Sequence, residues 1–136
     1  MRVMKISPLL FALAGAFALG SAAVADAPGL RTTRSGFQPG KWQVSGVGFG
    51  EDAGRAVCVR NAGAFLLGGK PANQCMFNVI ADEDTSSVVT YKCASGMSGR
   101  TALRMDAAGL FTMDVQGIEG GLPYGGRSEW KRVGSC

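Results

Sequence analysis

Residues 87–118 read SVVTYKCASGMSGRTALRMDAAGLFTMDVQGI and contain three stretches in which apolar and polar side chains alternate. Alternation of this kind is typical of β-strands with one buried face, and the β-branched and aromatic residues of Val88–Tyr91 favour the same structure. Short segments rich in glycine and alanine indicate tight turns at Gly96–Gly99 and Ala107–Gly109. The segment therefore predicts three antiparallel strands, Ser87–Cys93, Arg100–Met105 and Leu110–Ile118.

The same pattern continues on both sides of this segment. Short strands joined by polar turns predict an all-β fold, an antiparallel meander of about seven strands that closes as a small barrel or a sandwich. The only helix that the pattern supports in the mature domain is a short one near residues 61–67. Residues 120–126 are rich in glycine and are interpreted as a mobile loop. The remaining predicted strands are Lys41–Phe49, Arg55–Arg60, Cys75–Ile80 and Arg127–Val133.

Residues 1–25 have the composition of a cleavable signal peptide. Arg2 and Lys5 precede the apolar run Leu9–Leu19, which is shorter than the roughly 20 apolar residues of a membrane-spanning helix. The small residues of Ala23–Ala25 predict cleavage after Ala25. The mature protein is therefore expected in the periplasm or outside the cell, without a membrane span.

Cleavage changes both the charge and the organisation of the chain. The full sequence contains 14 Lys and Arg against 10 Asp and Glu, and removal of Arg2 and Lys5 leaves 12 against 10. So small an excess of cationic residues does not predict strong binding to nucleic acid. The mature chain divides into a flexible N-terminal arm at residues 26–39 and a single disulfide-stapled β-domain at residues 40–136.

Four cysteines follow the predicted cleavage site: Cys58, Cys75, Cys93 and Cys136. An even number of cysteines in an oxidising compartment predicts two disulfides. Their wide spacing is unlike the close pairs of structural zinc sites, and the chain has no histidine to activate a catalytic thiol. Sequential pairing, Cys58 with Cys75 and Cys93 with Cys136, is the preferred arrangement. Cys75 and Cys93 would instead face each other if the strands that contain them form a hairpin.

Three short segments, together with the signal peptide and the four cysteines, carry a resemblance to a known family. They are Pro39–Trp42 (PGKW), Tyr91–Cys93 (YKC) and Arg132–Cys136 (RVGSC). Over residues 37–136 the chain resembles an uncharacterised family of small exported Gram-negative proteins, known only as a domain of unknown function, with an N-terminal Gly-x-Trp strand and a C-terminal Gly-x-Cys. The resemblance implies a periplasmic β-domain with two disulfides. The family offers no established activity or catalytic residues.

Gly40 and Trp42 also form a Gly-x-Trp pattern that resembles the lipocalins, in which an arginine of a late strand packs over the tryptophan. Trp42 is predicted to plug one end of the core, and Trp130, in the last strand, is a second structural candidate. Arg127 or Arg132 could cover Trp42 by a cation–π contact.

No metal or cofactor is predicted. Methionine thioethers could bind Cu(I), but three of the four candidates fall on predicted strands, where methionine is ordinarily core filler. The acidic segment Asp82–Asp84 lacks the spacing of a Ca²⁺-binding loop and is interpreted as a solvated hairpin turn. The methionines concerned are Met76, Met97, Met105 and Met113.

The sequence does not predict an enzyme. Without histidine, a Ser-His-Asp triad and a His-ligated metal are excluded. Asp106, Asp114 and Glu119 lie on neighbouring predicted strands and could act as paired carboxylates, although carboxylates at strand ends are ordinarily surface residues.

These observations predict a non-catalytic binding or interaction module of the cell envelope, whose partner is an unknown envelope protein or small ligand. Its predicted contact residues are Tyr124, at the tip of a loop at Gly117–Gly126, and Arg127. One specific version is an inhibitor of an envelope-attacking hydrolase. The alternative is a carrier of a small apolar ligand with a lipocalin-like cavity. A closed barrel with an apolar cavity would favour the carrier, and a filled core with an exposed aromatic patch would favour the interaction module.

Overall fold

The computed structural model describes residues 28–47, 54–70 and 74–136. The predicted signal peptide at residues 1–25 and the predicted end of the first strand at Phe49 lie outside these ranges. All seven predicted strands are present, and neither described helix is long and apolar enough to cross a membrane. In chain order the elements are α1 (Arg31–Gly36), β1 (Gly40–Val47), β2 (Ala56–Val59), α2 (Ala62–Leu66), β3 (Cys75–Asp82), β4 (Ser86–Cys93), β5 (Ser98–Ala107), β6 (Leu110–Glu119) and β7 (Leu122–Gly134).

The strands form one seven-stranded antiparallel sheet in the order β2-β1-β7-β6-β5-β4-β3. The predicted all-β antiparallel meander is therefore confirmed. Closure into a barrel, one of the two arrangements predicted, is wrong, because β2 and β3 are edge strands that each pair with one neighbour. The chain between these edges contains α2, which packs on one face of the sheet. This side is named the covered face, and the opposite side the open face.

An aromatic cluster fills the covered face. The ring centroid of Phe65, from α2, lies 5.1 Å from that of Trp42, 5.1 Å from that of Phe111 and 5.5 Å from that of Trp130. All four side chains are fully buried. The alternation predicted for β6 is confirmed, because Phe111, Met113 and Val115 are buried on this face. The core thus forms between the sheet and α2.

The helix predicted after the second strand is confirmed as α2. The side chain of Asn61 caps its first turn by accepting a hydrogen bond of 2.8 Å from the N–H of Ala64. The helix is followed by Gly68, whose φ of 68° suits a residue without a side chain. On the covered face, Thr101 Oγ1 donates a hydrogen bond of 2.6 Å to the carbonyl of Leu66 and ties the helix to β5.

A second helix, α1, lies within the segment predicted as a flexible arm, so the prediction of a single helix in the mature domain is wrong. The sequence of α1 has no apolar face, and the helix is held by tertiary contacts. Leu30, which precedes it, is 1% exposed in the core. Buried Thr32 forms a hydrogen bond of 2.8 Å with Ser87 of β4, and Thr33 Oγ1 donates one of 3.0 Å to the Leu30 carbonyl.

The prediction of a glycine-rich loop at residues 120–126 is wrong, because β7 begins at Leu122. Gly120–Gly121 forms the turn that precedes it, with φ angles of 59° and 77°. The later glycines belong to the strand. A Cβ atom at Gly125 would collide with the backbone carbonyl of Val115, so glycine at this position allows close strand pairing.

Two disulfides are present, as predicted, but they join Cys58 with Cys136 and Cys75 with Cys93. The preferred sequential pairing is therefore wrong. The register between β3 and β4 places Cys75 directly opposite Cys93, with Cα atoms 3.9 Å apart. This is the hairpin arrangement that the sequence left open.

The other disulfide follows from the order of the strands. β1 lies between β2 and β7, and Lys41 of β1 pairs with Cys58 on one side and with Gly134 on the other. The end of the chain therefore lies beside β2, and the Cα atoms of Cys58 and Cys136 are 5.8 Å apart. The bridge joins an edge strand to the C-terminus across β1.

Candidate functional site

A surface cleft of about 460 Å³ lies at the C-terminal end of α1. Its walls come from three parts of the chain: the end of α1 with the segment that follows it, the turn between β5 and β6, and the end of β7. The lining residues are 34–38, 108–110 and 131–132. Because they are distant in sequence, the cleft exists only in the folded chain.

Backbone hydrogen bonds hold the three walls together. The N–H of Gly109 donates to the carbonyl of Gly36 at 3.0 Å, and the N–H of Arg132 donates to the carbonyl of Gly109 at 2.9 Å. Gly109 has a φ of 73° in the β5–β6 turn, a conformation that glycine adopts without strain. The walls are therefore fixed relative to one another by the fold itself.

Three of the residues that line the cleft are cationic: Arg34 from the last turn of α1, and Lys131 and Arg132 from β7. Arg34 and Lys131 are exposed. Arg132 is oriented by its Nε and Nη2 atoms, which donate to the carbonyl of Pro39 at 3.3 and 3.1 Å. Within the described ranges none of the three forms an ion pair, and no carboxylate lines the cleft.

Four of the described carboxylates form ion pairs with residues that do not line the cleft. The ion pairs are Arg31 with Asp84, Lys70 with Glu119, Arg104 with Asp106 and Arg127 with Asp114. The described lining contains three cationic residues and no carboxylate, so it carries a positive charge even though the mature chain is predicted to be nearly neutral. Such a charge attracts anions.

The cleft also has an apolar wall, formed by Phe37 and Leu110. The Phe37 ring stacks on Trp42, with centroids 5.6 Å apart and an interplanar angle of 9°, and lies 5.0 Å from the ring of Phe65. Contact with two buried rings holds Phe37 in a defined position. The cleft can therefore contact both a charged group and an apolar group of one ligand.

The sequence does not predict this cleft. Arg132 is predicted only as a possible cover for Trp42. Arg34 falls in the predicted N-terminal arm, and Lys131 is an ordinary residue of a predicted strand. One signal is present in the sequence, the adjacent cations Lys131 and Arg132. The third cation is brought to them by α1, which the sequence pattern does not predict.

A second polar cluster, the tyrosine cluster, lies beside the turn between β6 and β7. The hydroxyl groups of Tyr91 and Tyr124 are hydrogen-bonded, the Nζ atom of Lys70 lies 4.5 Å from the centroid of the Tyr124 ring, and Lys70 also pairs with Glu119. A Cβ atom at Gly117 would lie 2.7 Å from the Tyr124 ring, so this glycine makes room for the phenol. The cluster joins β4 to β7 and to the end of α2.

Both phenols of this cluster are poor acids. Burial, together with the hydrogen bond to Tyr124, raises the pKa of Tyr91 well above its ordinary value. Burial also raises the pKa of Tyr124, although the hydrogen bond from Tyr91 and the charge of Lys70 oppose the shift. Neutral, half-buried Tyr124 therefore belongs to β7 and packs against the core, which corrects its predicted position at the tip of a mobile loop.

We expect the tyrosines of the folded protein to ionise at higher pH than those of the unfolded chain, where the pKa is about 10. The chain contains two tyrosines, so tyrosinate ultraviolet absorbance reports on this pair alone. Because the folded state keeps protons that the unfolded state loses, the stability contributed by the pair is complete below about pH 10 and falls above it. The measurement is a pH titration with and without urea, with tryptophan fluorescence as the check on folding. A folded protein whose two phenols ionise at the unfolded value would contradict the expectation.

The structure places the predicted structural residues in or beside the core. Trp42 and Trp130 are fully buried, and Trp130 Nε1 donates a hydrogen bond of 2.7 Å to Ser128 Oγ. Gly40 has a φ of 154° and lies against the carbonyl of Gly134 in β7, where a side chain would not fit. These residues support the sheet and do not line the cleft.

Arg127, a predicted contact residue, lies on the open face and is 75% exposed. Its Nε and Nη2 atoms donate to the carboxylate of Asp114 across the β6–β7 pair at 2.9 to 3.2 Å. The guanidinium groups of Arg127 and Arg132 thus bind oxygen acceptors, Asp114 and the carbonyl of Pro39, and Arg132 lies directly opposite Trp42 in the β1–β7 register.

The carboxylates considered for catalysis are not brought together. Asp106 pairs with Arg104, Asp114 with Arg127, and Glu119 with Lys70. In the part of the chain that the structure describes, no group of three or more Asp, Glu, Cys or His side chains could hold a metal ion. The methionines are also dispersed, because Met113 lies in the aromatic core, Met97 packs near Tyr91, and Met76 is exposed.

The cleft thus brings three cationic residues together with Phe37 and Leu110 in the lining of one cavity. Its lining consists of cationic, hydroxyl, amide and apolar groups. No protein-family model matches the chain, and no curated protein or solved structure is significantly similar to it.

Proposed function

We propose that the protein is a non-catalytic binding domain of the cell envelope that holds an anionic ligand in the cleft at the end of α1. The observation that carries this proposal is the lining of the cleft by Arg34, Lys131 and Arg132, with no carboxylate contributed by the described residues. An anion relieves the repulsion among these like charges, and hydrogen bonds from charged donors are the stronger kind.

Support for the alternative, a carrier of an apolar ligand, is weaker. The covered face is filled by Phe65 and the rings around it, and the sheet is open at β2 and β3. The expected exported location, the resemblance to a family of small exported Gram-negative proteins and the more specific role of hydrolase inhibitor stay predictions. The two disulfides are compatible with the exported location.

We expect sodium citrate to stabilise the protein more than sodium chloride at equal ionic strength. At about ten times its dissociation constant, a ligand of the folded state raises the free energy of unfolding by about 1.4 kcal/mol, which corresponds to several degrees in Tm. The double variant Arg34→Gln/Lys131→Gln is expected to lose this extra stabilisation, because it removes two of the three positive charges among the residues that line the cleft. The measurement is thermal unfolding over a concentration series of each salt.

The matched control is the double variant Lys92→Gln/Arg100→Gln. It also removes one lysine and one arginine that are exposed on the sheet and form no ion pair within the described ranges, but neither residue lines the cleft. This control is expected to keep the stabilisation by citrate. Equal loss in both double variants would show that citrate acts through net charge, and the proposed site would then be wrong.

A further inference from the structure

We infer that the ligand of the cleft carries a phosphate monoester joined to an apolar or aromatic body, an inference that rests on the proposed function. Two features of the cleft lead to it. Three cations line a single cavity, and an apolar wall lies beside them. The first feature concerns the charge of the ligand, and the second concerns what the charged group is attached to.

The charge of the cleft matches a dianion better than a monoanion. Arg34, Lys131 and Arg132 have no ion-pair partner among the described residues, and the guanidinium of Arg132 donates to the carbonyl of Pro39, which leaves its positive charge without a carboxylate. A phosphate monoester carries a charge of about −1.5 to −2 at neutral pH and has three acceptor oxygens, whereas a carboxylate has one charge and two oxygens. Arginine forks suit phosphate geometry in particular.

The backbone around the cleft presents little opposition to an anion. The carbonyl of Gly36 accepts the N–H of Gly109, and the carbonyl of Pro39 accepts the guanidinium of Arg132. Both oxygens are therefore already engaged by donors. Their partial negative charge is offset locally by these donors.

The size and the apolar wall of the cleft require more than a free phosphate. A volume of about 460 Å³ lies in the range of sites for small organic ligands. Phe37, fixed by its stack on Trp42, and half-buried Leu110 would contact an apolar group attached to the phosphate. Burial of that group adds the affinity that a free phosphate lacks.

The test is calorimetric titration of the mature protein with phenyl phosphate, benzoate and inorganic phosphate at fixed ionic strength. We expect phenyl phosphate to bind at least roughly tenfold more tightly than either of the other two ligands. Benzoate has the same ring but a single charge, and inorganic phosphate lacks the ring. Arg34→Gln/Lys131→Gln is expected to weaken phenyl phosphate binding by roughly tenfold, whereas Lys92→Gln/Arg100→Gln is expected to leave it within about twofold of the native value.

A pH series adds a readout that only a phosphate dianion gives. Between about pH 7.5 and pH 5, phenyl phosphate takes up its second proton near pH 6 and should bind more weakly, while benzenesulfonate stays a monoanion and should not change. The charged groups that line the cleft are Arg34 from α1 and Lys131 and Arg132 from β7. The chain has no histidine, the residue type that ordinarily changes charge in this range, so a change in affinity reports the ligand.

The phosphate monoester could belong to a soluble metabolite or to a lipid headgroup. Co-sedimentation with phosphatidylcholine vesicles that contain phosphatidic acid, with and without competing phenyl phosphate, distinguishes these sources. If phenyl phosphate abolishes sedimentation, the ligand is the lipid headgroup. If phenyl phosphate binds but the protein does not sediment with the vesicles, the ligand is soluble.

Benzoate that binds as tightly as phenyl phosphate would overturn the phosphate inference. In that case, stabilisation by citrate that depends on Arg34 and Lys131 would still support the proposed function. If Arg34→Gln/Lys131→Gln changes neither the binding of phenyl phosphate nor the stabilisation by citrate, the phosphate inference and the proposed function are both wrong.

Discussion

Replacement of Cys58 and Cys136 together by alanine is expected to lower the free energy of unfolding by about 4–5 kcal/mol. The two residues are 78 positions apart, so their bridge removes a large loop-closure entropy from the unfolded chain. A loss of this size is a large part of the total stability of a domain, which is typically about 5–15 kcal/mol. We expect the variant to unfold at much lower urea concentration than the native protein under oxidising conditions.

The matched control is the removal of the other disulfide. Cys75 and Cys93 are 18 positions apart, and the same reasoning gives a loss of about 3 kcal/mol for the double alanine variant. Urea unfolding of both variants measures the difference, and a non-reducing peptide map of the native protein checks the pairs directly. A peptide that links Cys58 to Cys75 would contradict the observed pairing and remove the basis of the expected difference.

The strands could be predicted from the sequence because their signal is local. Side chains alternate between the two faces of a strand, so the spacing of Phe111 and Met113 marks the buried face without knowledge of the partner strands. The turns are also local, because the β5–β6 turn consists of two residues, Ala108 and Gly109, and its geometry depends on the positive φ of Gly109. The predicted strands and turns of residues 87–118 accordingly match the structure closely.

The features that could not be predicted depend on contacts between distant residues. α1 has the sequence RTTRSG, which carries no helical pattern of apolar residues, and it forms because Leu30 and Thr32 are buried against the sheet. The pairing of Cys58 with Cys136 depends on β1 lying between β2 and β7. The spacing of the cysteines does not reveal the order of the strands, so the prediction of sequential pairing was wrong.

The cleft has the same origin. Lys131 and Arg132 are neighbours in the sequence, but Arg34 and Phe37 reach them only through the packing of α1 and the segment after it. The charge balance of the whole chain conceals the site, because several carboxylates are paired with other cations. A site of this kind becomes visible only when the ion pairs of the folded chain are known.

Phe65→Ala is expected to lower the free energy of unfolding by about 3–5 kcal/mol, the typical loss when a buried aromatic side chain is truncated. Phe65 is fully buried, and its ring centroid lies 5.0 to 5.5 Å from four other aromatic rings: Phe37, Trp42, Phe111 and Trp130. α2 has five residues, too few to be stable alone, so loss of this anchor also frees the helix from the sheet. Urea unfolding measures the change.

Phe77→Ala is the matched control, because Phe77 is half-buried on edge strand β3 and lies 6.2 Å from the ring of Tyr91. Its smaller burial predicts a loss of about 1–2 kcal/mol. Phe65→Ala should also weaken binding of phenyl phosphate, since Phe65 supports Phe37 in the apolar wall of the cleft, and Phe77→Ala should not. If the two substitutions were equally destabilising, α2 would not be the anchor of the covered face. If Phe65→Ala left phenyl phosphate affinity unchanged in the folded protein, Phe37 would not depend on the aromatic cluster for its position.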